Sequence, residues 1–120
     1  MQRNIIEADE DTQAVLHHAH ALLTDEVRLV PEQWHRYVHP DFFMFGFGGS
    51  EVTFEDMHEH FGALKGSIEM EVVSAEHLTD DVILLRWKGH NPDGVVVNRG
   101  AVWLKTPEGW KLRYQQGSRP

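Results

Sequence analysis

The first two dozen positions carry their apolar side chains at helical spacing. Ile5, Ala8, Thr12, Val15, Leu16, Ala19, Leu22 and Leu23 fall on one stripe, which predicts an amphipathic helix over about 5–23. Pro31 suits the first turn of a second, short helix that runs through Trp34, Tyr37 and Val38. Helical geometry has to end near His39, because the residue before Pro40 is pushed out of the α region. Phe42 to Phe47 is an aromatic run that predicts a buried strand, turned by Gly48-Gly49. Thr53-Phe54-Glu55-Asp56 then resembles a capping box. It predicts a third helix with Phe54, Met57, Phe61 and Leu64 inward, ending near Gly66.

Beyond Ser67 the period changes to two. Ile68, Met70 and Val72 alternate with Glu69 and Glu71 in a strand that reaches Leu78, and Asp80-Asp81 turns it into the apolar strand Val82 to Lys88. Asn91-Pro92-Asp93-Gly94 is the next turn, leading into Val95 to Lys105. Pro107-Glu108-Gly109 suits a type I turn closed by a left-handed glycine, and the last strand runs almost to the C-terminus. A three-residue loop there sets Thr106 opposite Trp110, Leu104 opposite Leu112, Val102 opposite Tyr114 and Gly100 opposite Gln116. Arg99, Trp103, Lys105, Lys111 and Arg113 then share the other face. Helices followed by a long meander predict an α+β domain, with the helices packed on one face of a curved antiparallel sheet.

Composition narrows the classes. A chain of 120 residues makes one domain, 1–120, with a core that needs no staples. The lack of cysteine excludes disulfides, thiol catalysis and thiolate metal sites. No apolar run approaches a membrane span, and the N-terminus leads into an acidic helix without an export segment, so a cytoplasmic protein with no membrane contact is expected. The formal charge of −8, with no Lys/Arg cluster to offset it, argues against nucleic acid.

Several segments carry a family resemblance. Arg99-Gly100-Ala101-Val102-Trp103, Gly109-Trp110 and Gln116-Gly117-Ser118-Arg119-Pro120 resemble the ending of small proteins in the nuclear transport factor 2-like superfamily, in its SnoaL-like and ketosteroid-isomerase-like branch. Ile5-Ile6-Glu7, His39-Pro40-Asp41-Phe42-Phe43, Gly48-Gly49, Thr53 and Asp80-Asp81 fit the same plan. The resemblance implies a cystatin-like cone, its sheet curled around a cavity, its first helix closing part of the mouth, and a homodimer formed across the sheet. It does not fix the reaction, since such proteins include isomerases, cyclases, dehydratases and non-catalytic binding domains.

Candidate chemistry is weighed residue by residue. His58, at the edge of the inward face of its helix, is a candidate acid or base, against a half-buried histidine bonded to backbone. Asp41 and Tyr114 are the nearest chemical types to a carboxylate base and a phenolic oxyanion donor, against a turn cap and a core-closing tyrosine. Arg86 and Arg99 are candidate anchors for an acidic group, against an internal salt bridge of Arg86 to Glu69, Glu71 or Glu76. Trp34, Phe45, Trp87 and Gln116 supply wall positions. The nine histidines do not converge on one ion, so no metal and no cofactor is expected. Trp103 on a second apolar face calls for cover by a second copy. The expectation is a pocket protein for a small hydrophobic, acidic or carbonyl-bearing molecule, with isomerisation, dehydration or cyclisation by proton transfer if it is an enzyme. The alternative is a non-catalytic ligand-binding or dimerisation module.

Overall fold

Asp9 accepts a hydrogen bond from the Thr12 amide (2.8 Å) and so caps α1 (Glu10–Ala21). The computed structural model describes residues 9–46, 48–64 and 66–119, so Ile5-Ile6-Glu7 and Phe47 lie outside the described residues. Two further helical turns follow, α2 (Asp25–Arg28) and α3 (Pro31–Trp34), with proline in the first turn of α3. The helical path stops before Pro40 as expected. Val38 has already left it, opening β1 (Val38–Phe45).

After the Gly48-Gly49 turn, β2 (Glu51–Thr53) pairs back on β1. Thr53 and Asp56 make the reciprocal capping contacts, Thr53 N to Asp56 Oδ2 at 3.0 Å and Asp56 N to Thr53 Oγ1 at 3.3 Å. The helix they open is only the single turn α4 (Met57–His60) rather than one reaching Gly66. The meander follows as β3 (Glu69–Thr79), β4 (Val82–His90), β5 (Val96–Thr106) and β6 (Gly109–Ser118).

The six strands form one curved, unclosed sheet in the order β2-β1-β6-β5-β4-β3. It is mixed rather than antiparallel throughout, because β1 runs parallel to β6. The inner face carries Ile83, Leu85 and Trp87 from β4, Ala101 and Trp103 from β5, and Trp110 and Leu112 from β6, all buried. Val15 and Ala19 of α1 and Leu22 at its C-cap pack onto it and complete the core.

One expectation fails at the β5–β6 hairpin. Thr106 pairs with Gly109, Lys105 with Trp110, and Trp103 with Leu112, so the loop holds only Pro107 and Glu108. Gly109 has a positive φ of 113°, as the turn requires of it. Arg113 is then left over as a bulge, and beyond it Val102 faces Tyr114 and Gly100 faces Gln116, as the sequence predicts. The shifted register brings Trp110 and Leu112 onto the face of Trp103, and that face is the core, where Trp103 is 1% exposed, rather than a cationic outer face.

Candidate cavity inside the cone

The end of the cone near the β5–β6 hairpin is shut by α1. Asp11 accepts from Trp110 Nε1 (3.0 Å) and lies 3.4 Å from Lys105 Nζ, while His77 Nε2 reaches Asp9 at 2.9 Å. His18 packs at a tilt against Tyr37, ring centroids 4.6 Å apart, and donates from Nδ1 to the Trp110 carbonyl at 3.1 Å. These contacts also hold the Asp9 and Asp11 carboxyls below their usual range, chiefly through Thr12 and Trp110 respectively.

The other end stays hollow. A cavity of about 130 Å³ lies between α1, α4 and the inner face of the sheet. That is close to the volume of an apolar void that accepts a benzene ring. Leu22, Phe42, Met57, Trp87, Val97 and Leu112 give it an apolar wall.

Its polar lining is Arg28, His60, Asn91, Arg99 and Gln115, two of them cationic and none of them acidic. Arg99 occupies an inward position of β5, opposite Trp87 and Gly117. Its buried Nη1 has no acceptor among the described residues, and burial pulls the guanidinium below its ordinary pKa. Arg28, at the end of α2, donates Nε to the Gly62 carbonyl (3.1 Å) and Nη1 to the Leu22 carbonyl (3.2 Å), with its guanidinium 4.4 Å over the Phe61 ring. Burial lowers its pKa and the charge of Arg99 adds to that, while Asp25 opposes it. Asp25 is itself occupied, accepting from the Leu64 amide at 2.9 Å.

His60 stands at the mouth, largely exposed as a residue but with a side lining the cavity. Burial, then Arg28 and Arg99, lower its pKa, which favours the neutral ring. The buried indole N–H of Trp103 also lacks a partner among the described residues, and Gln115 Nε2 has only the Met44 sulfur at 3.6 Å. No aspartate or glutamate lines the cavity.

Of the residues singled out from the sequence, Arg99 and Trp87 line this cavity. Trp34 is buried under the ring cluster of His35, Phe54, His58 and Phe61. His58 is exposed on the far side of α4, with Nε2 3.1 Å from His35 Nε2. Asp41 is exposed on β1, where its carbonyl accepts from Arg113 and its amide bonds to His39 Nδ1 (3.0 Å). Tyr114, Phe45 and Gln116 belong to the outer face, and the Tyr114 hydroxyl donates to Gln116 Oε1 at 3.1 Å. Arg86 lies on that face too, bonded from Nε to Ser74 Oγ (2.8 Å) rather than to Glu69, Glu71 or Glu76. The structure therefore does not bring His58, Asp41 and Tyr114 together.

Sequence reasoning did not reach Arg28, His60 or Gln115 as cavity residues, and it set Trp103 on an outer face. A signal existed for Gln115 in the period of two, since it falls on the face of Ala101 and Trp103; the bulge at Arg113 inverted only Trp110 to Leu112, which hid that this face is the core. Arg28 gave none, because α2 is too short to show a period. Among the described residues no cluster of three or more His, Cys, Asp or Glu side chains could hold a metal ion.

A curved sheet backed by N-terminal helices around such a cavity has the nuclear transport factor 2-like, or cystatin-like, fold. Solved structures bear this out. A domain of unknown function with a cystatin-like fold from Nostoc punctiforme superposes with a TM-score of 0.77 at 15% identity, covering 94% of this chain and 79% of that one. A nuclear transport factor 2-like protein from Cytophaga hutchinsonii gives 0.72 at 15% identity, covering 94% and 100%. A putative calcium/calmodulin-dependent kinase II association domain from Exiguobacterium sibiricum gives 0.67 at 16% identity, covering 100% and 97%. No protein-family profile and no curated protein matches the chain. At these identities the likeness establishes the fold alone.

Proposed function

We propose that this protein binds a small apolar carboxylate inside the cone, with the carboxylate on Arg99 and the hydrocarbon part among Phe42, Met57 and Leu112. The observation that carries the reading is the buried Arg99 Nη1 without an acceptor, in a cavity that has no acid of its own. A guanidinium held away from water is costly unless an anion meets it, and a carboxylate does so in a bidentate way. Arg28 reinforces the field without being neutralised, since its bonds go to carbonyl oxygens. The cavity volume favours a single ring or a short branched chain over a fused polycycle.

Thermal-shift and calorimetric titration with benzoate, cyclohexanecarboxylate and hexanoate, each beside its amide, tests the reading. The acids are expected to raise the melting temperature and the amides to leave it unchanged, because ligands that bind only the native state stabilise it by mass action. Equal responses to acid and amide, or none to either, refute it. If the site also turns its ligand over, the reaction is a cofactor-independent proton transfer, and His60 is the titratable group in contact with the cavity.

A second reading concerns the outer sheet face and is compatible with the first. Phe45 and Val73 are exposed there, and a shallow depression of about 390 Å³ holds Arg86, Lys88 and Asn98, whose buried Oδ1 has no donor among the described residues. These features support a homodimer that uses this face. Analytical ultracentrifugation of the protein and of Phe45→Asp tests it. A dimer that becomes a monomer supports it, and a wild-type monomer at micromolar concentration overturns it.

A further inference from the structure

The pairing of His35 with His58 across the α3 and α4 turns is independent of the cavity and has its own chemistry. The two Nε2 atoms lie 3.1 Å apart, with ring centroids 5.1 Å apart and planes at 79°. His58 also directs Nδ1 to the Glu55 carbonyl at 3.1 Å. A carbonyl only accepts, so that nitrogen carries the hydrogen and His58 Nε2 presents a lone pair. In the neutral pair the hydrogen between the two rings then belongs to His35. Both rings are held in place by aromatic neighbours: Trp34 lies 4.4 Å from His35 and 5.0 Å from His58 between centroids, and Phe54 lies 5.0 and 5.8 Å from them.

We propose that His35 and His58 form a two-imidazole site for a divalent transition-metal ion of the zinc and copper class, which takes the Nε2 lone pair of each ring while the hydrogen of His35 passes to its Nδ1. Two nitrogens each about 2.0–2.1 Å from a tetrahedral zinc stand roughly 3.3 Å apart, so the observed separation needs only a small adjustment. A metal-bound histidine commonly donates its second ring N–H to a carbonyl, as His58 does to Glu55, and this fixes the ring and strengthens the ligand. His58 is exposed and His35 half-buried, so water has access to the remaining positions. Burial, and then the neighbouring His58, lower the His35 pKa and favour the neutral ring that a metal needs, while Glu32 and Glu55 oppose this in part. Imidazole with water or carboxylate suits zinc and copper over calcium or magnesium.

Such an ion joins α4 to the turn after α3. Met57, His60 and Phe61, which neighbour His58 in sequence, line the cavity, so the ion tethers that wall of the mouth. The expected consequence is a stiffer rim rather than a new reaction.

The test is titration of the full chain with Zn²⁺ and with Cu²⁺ at pH 7.5, followed by calorimetry and by ¹⁵N-detected histidine side-chain spectra. The expected result is one equivalent bound, with the Nε2 resonances of His35 and His58 shifted selectively. Affinity is expected to fall at least tenfold in His35→Ala and in His58→Ala, and to be unchanged in His17→Ala, which alters an exposed histidine of α1. Unmoved His35 and His58 resonances, or alanine variants that bind as the wild type does, overturn the proposal. The spectra on the wild-type protein decide the matter even if a variant folds poorly. Carboxylate binding at Arg99 is measured separately and can fail while this site stands.

Discussion

Arg86 and Arg99 sit on adjacent strands, at β4 and β5, yet on opposite faces of one sheet, and they live under different physics. Arg86 is exposed, bonds to Ser74 and has water for its remaining donors. Its neighbours on the outer face are similarly provided for: His90 reaches Glu71 at 2.8 Å, and Arg113 donates to the Asp41 carbonyl. Arg99 points inward, where its buried Nη1 has no acceptor among the described residues and the cavity lining holds no carboxylate. A protein with a formal charge of −8 thus keeps one guanidinium, that of Arg99, on the inner face with no carboxylate beside it. Charge on a solvated face is close to neutral for stability, whereas charge inside a cone is costly until an anion arrives. The difference is the ground for placing the proposed carboxylate site on the inner face.

The comparison can be broken most forcefully by removing inner-face bulk. Trp103→Ala is expected to cost about 3–5 kcal/mol in stability. The outer-face change Phe45→Ala should stay within about 0.5 kcal/mol in the monomer. Urea denaturation of both variants checks this, and comparable losses would mean that the two faces are not so distinct.

The next largest effect is on ligand binding. Arg99→Met is expected to weaken carboxylate binding about 100-fold or more, while stabilising the ligand-free protein by something on the order of 1 kcal/mol, since an unpaired buried charge is replaced by hydrocarbon. Arg86→Met should change neither quantity measurably. Calorimetry and thermal melts on the pair would show it, and a destabilised Arg99→Met variant would point to a structural arginine instead.

A smaller effect sharpens the picture through pH. Burial and the two arginines lower the pKa of His60 from 6.5 in the folded state. As pH falls through 6.5 the unfolded chain takes up this proton first, so His60 withdraws stability until pH passes below its folded value. A carboxylate bound nearby favours the imidazolium and raises that folded value. Binding then takes up a proton, and affinity should rise roughly threefold to tenfold as pH falls from 7.5 towards the lowered pKa. His60→Ala should flatten the dependence, and an unchanged slope in that variant would assign the proton elsewhere.

Legibility in the sequence followed the length of each local signal. α1 and the three strands β3 to β5 carry many residues in one period, and they appear close to where the pattern places them. The Thr53–Asp56 capping contacts were legible as well, because they are local. α2, β2 and the end of α4 were not, since segments of three or four residues show no period. Arg99 was legible as a candidate anchor, but its inward direction depended on a register that one bulge at Arg113 reverses near the turn. His35 and His58 are 23 residues apart and carry no spacing signal.

What the chain alone determined was therefore its class: helices first, a long meander after, no thiol chemistry, an acidic surface and an aromatic core. Hydrophobic periodicity and proline or glycine positions suffice for that, because each acts within a few residues. Tertiary structure alone decided which arginine lies inside, which histidines meet and where β1 pairs. Those outcomes depend on contacts between segments far apart in sequence, where a one-residue change of register exchanges the two faces of a sheet and with them the solvent that each charge sees.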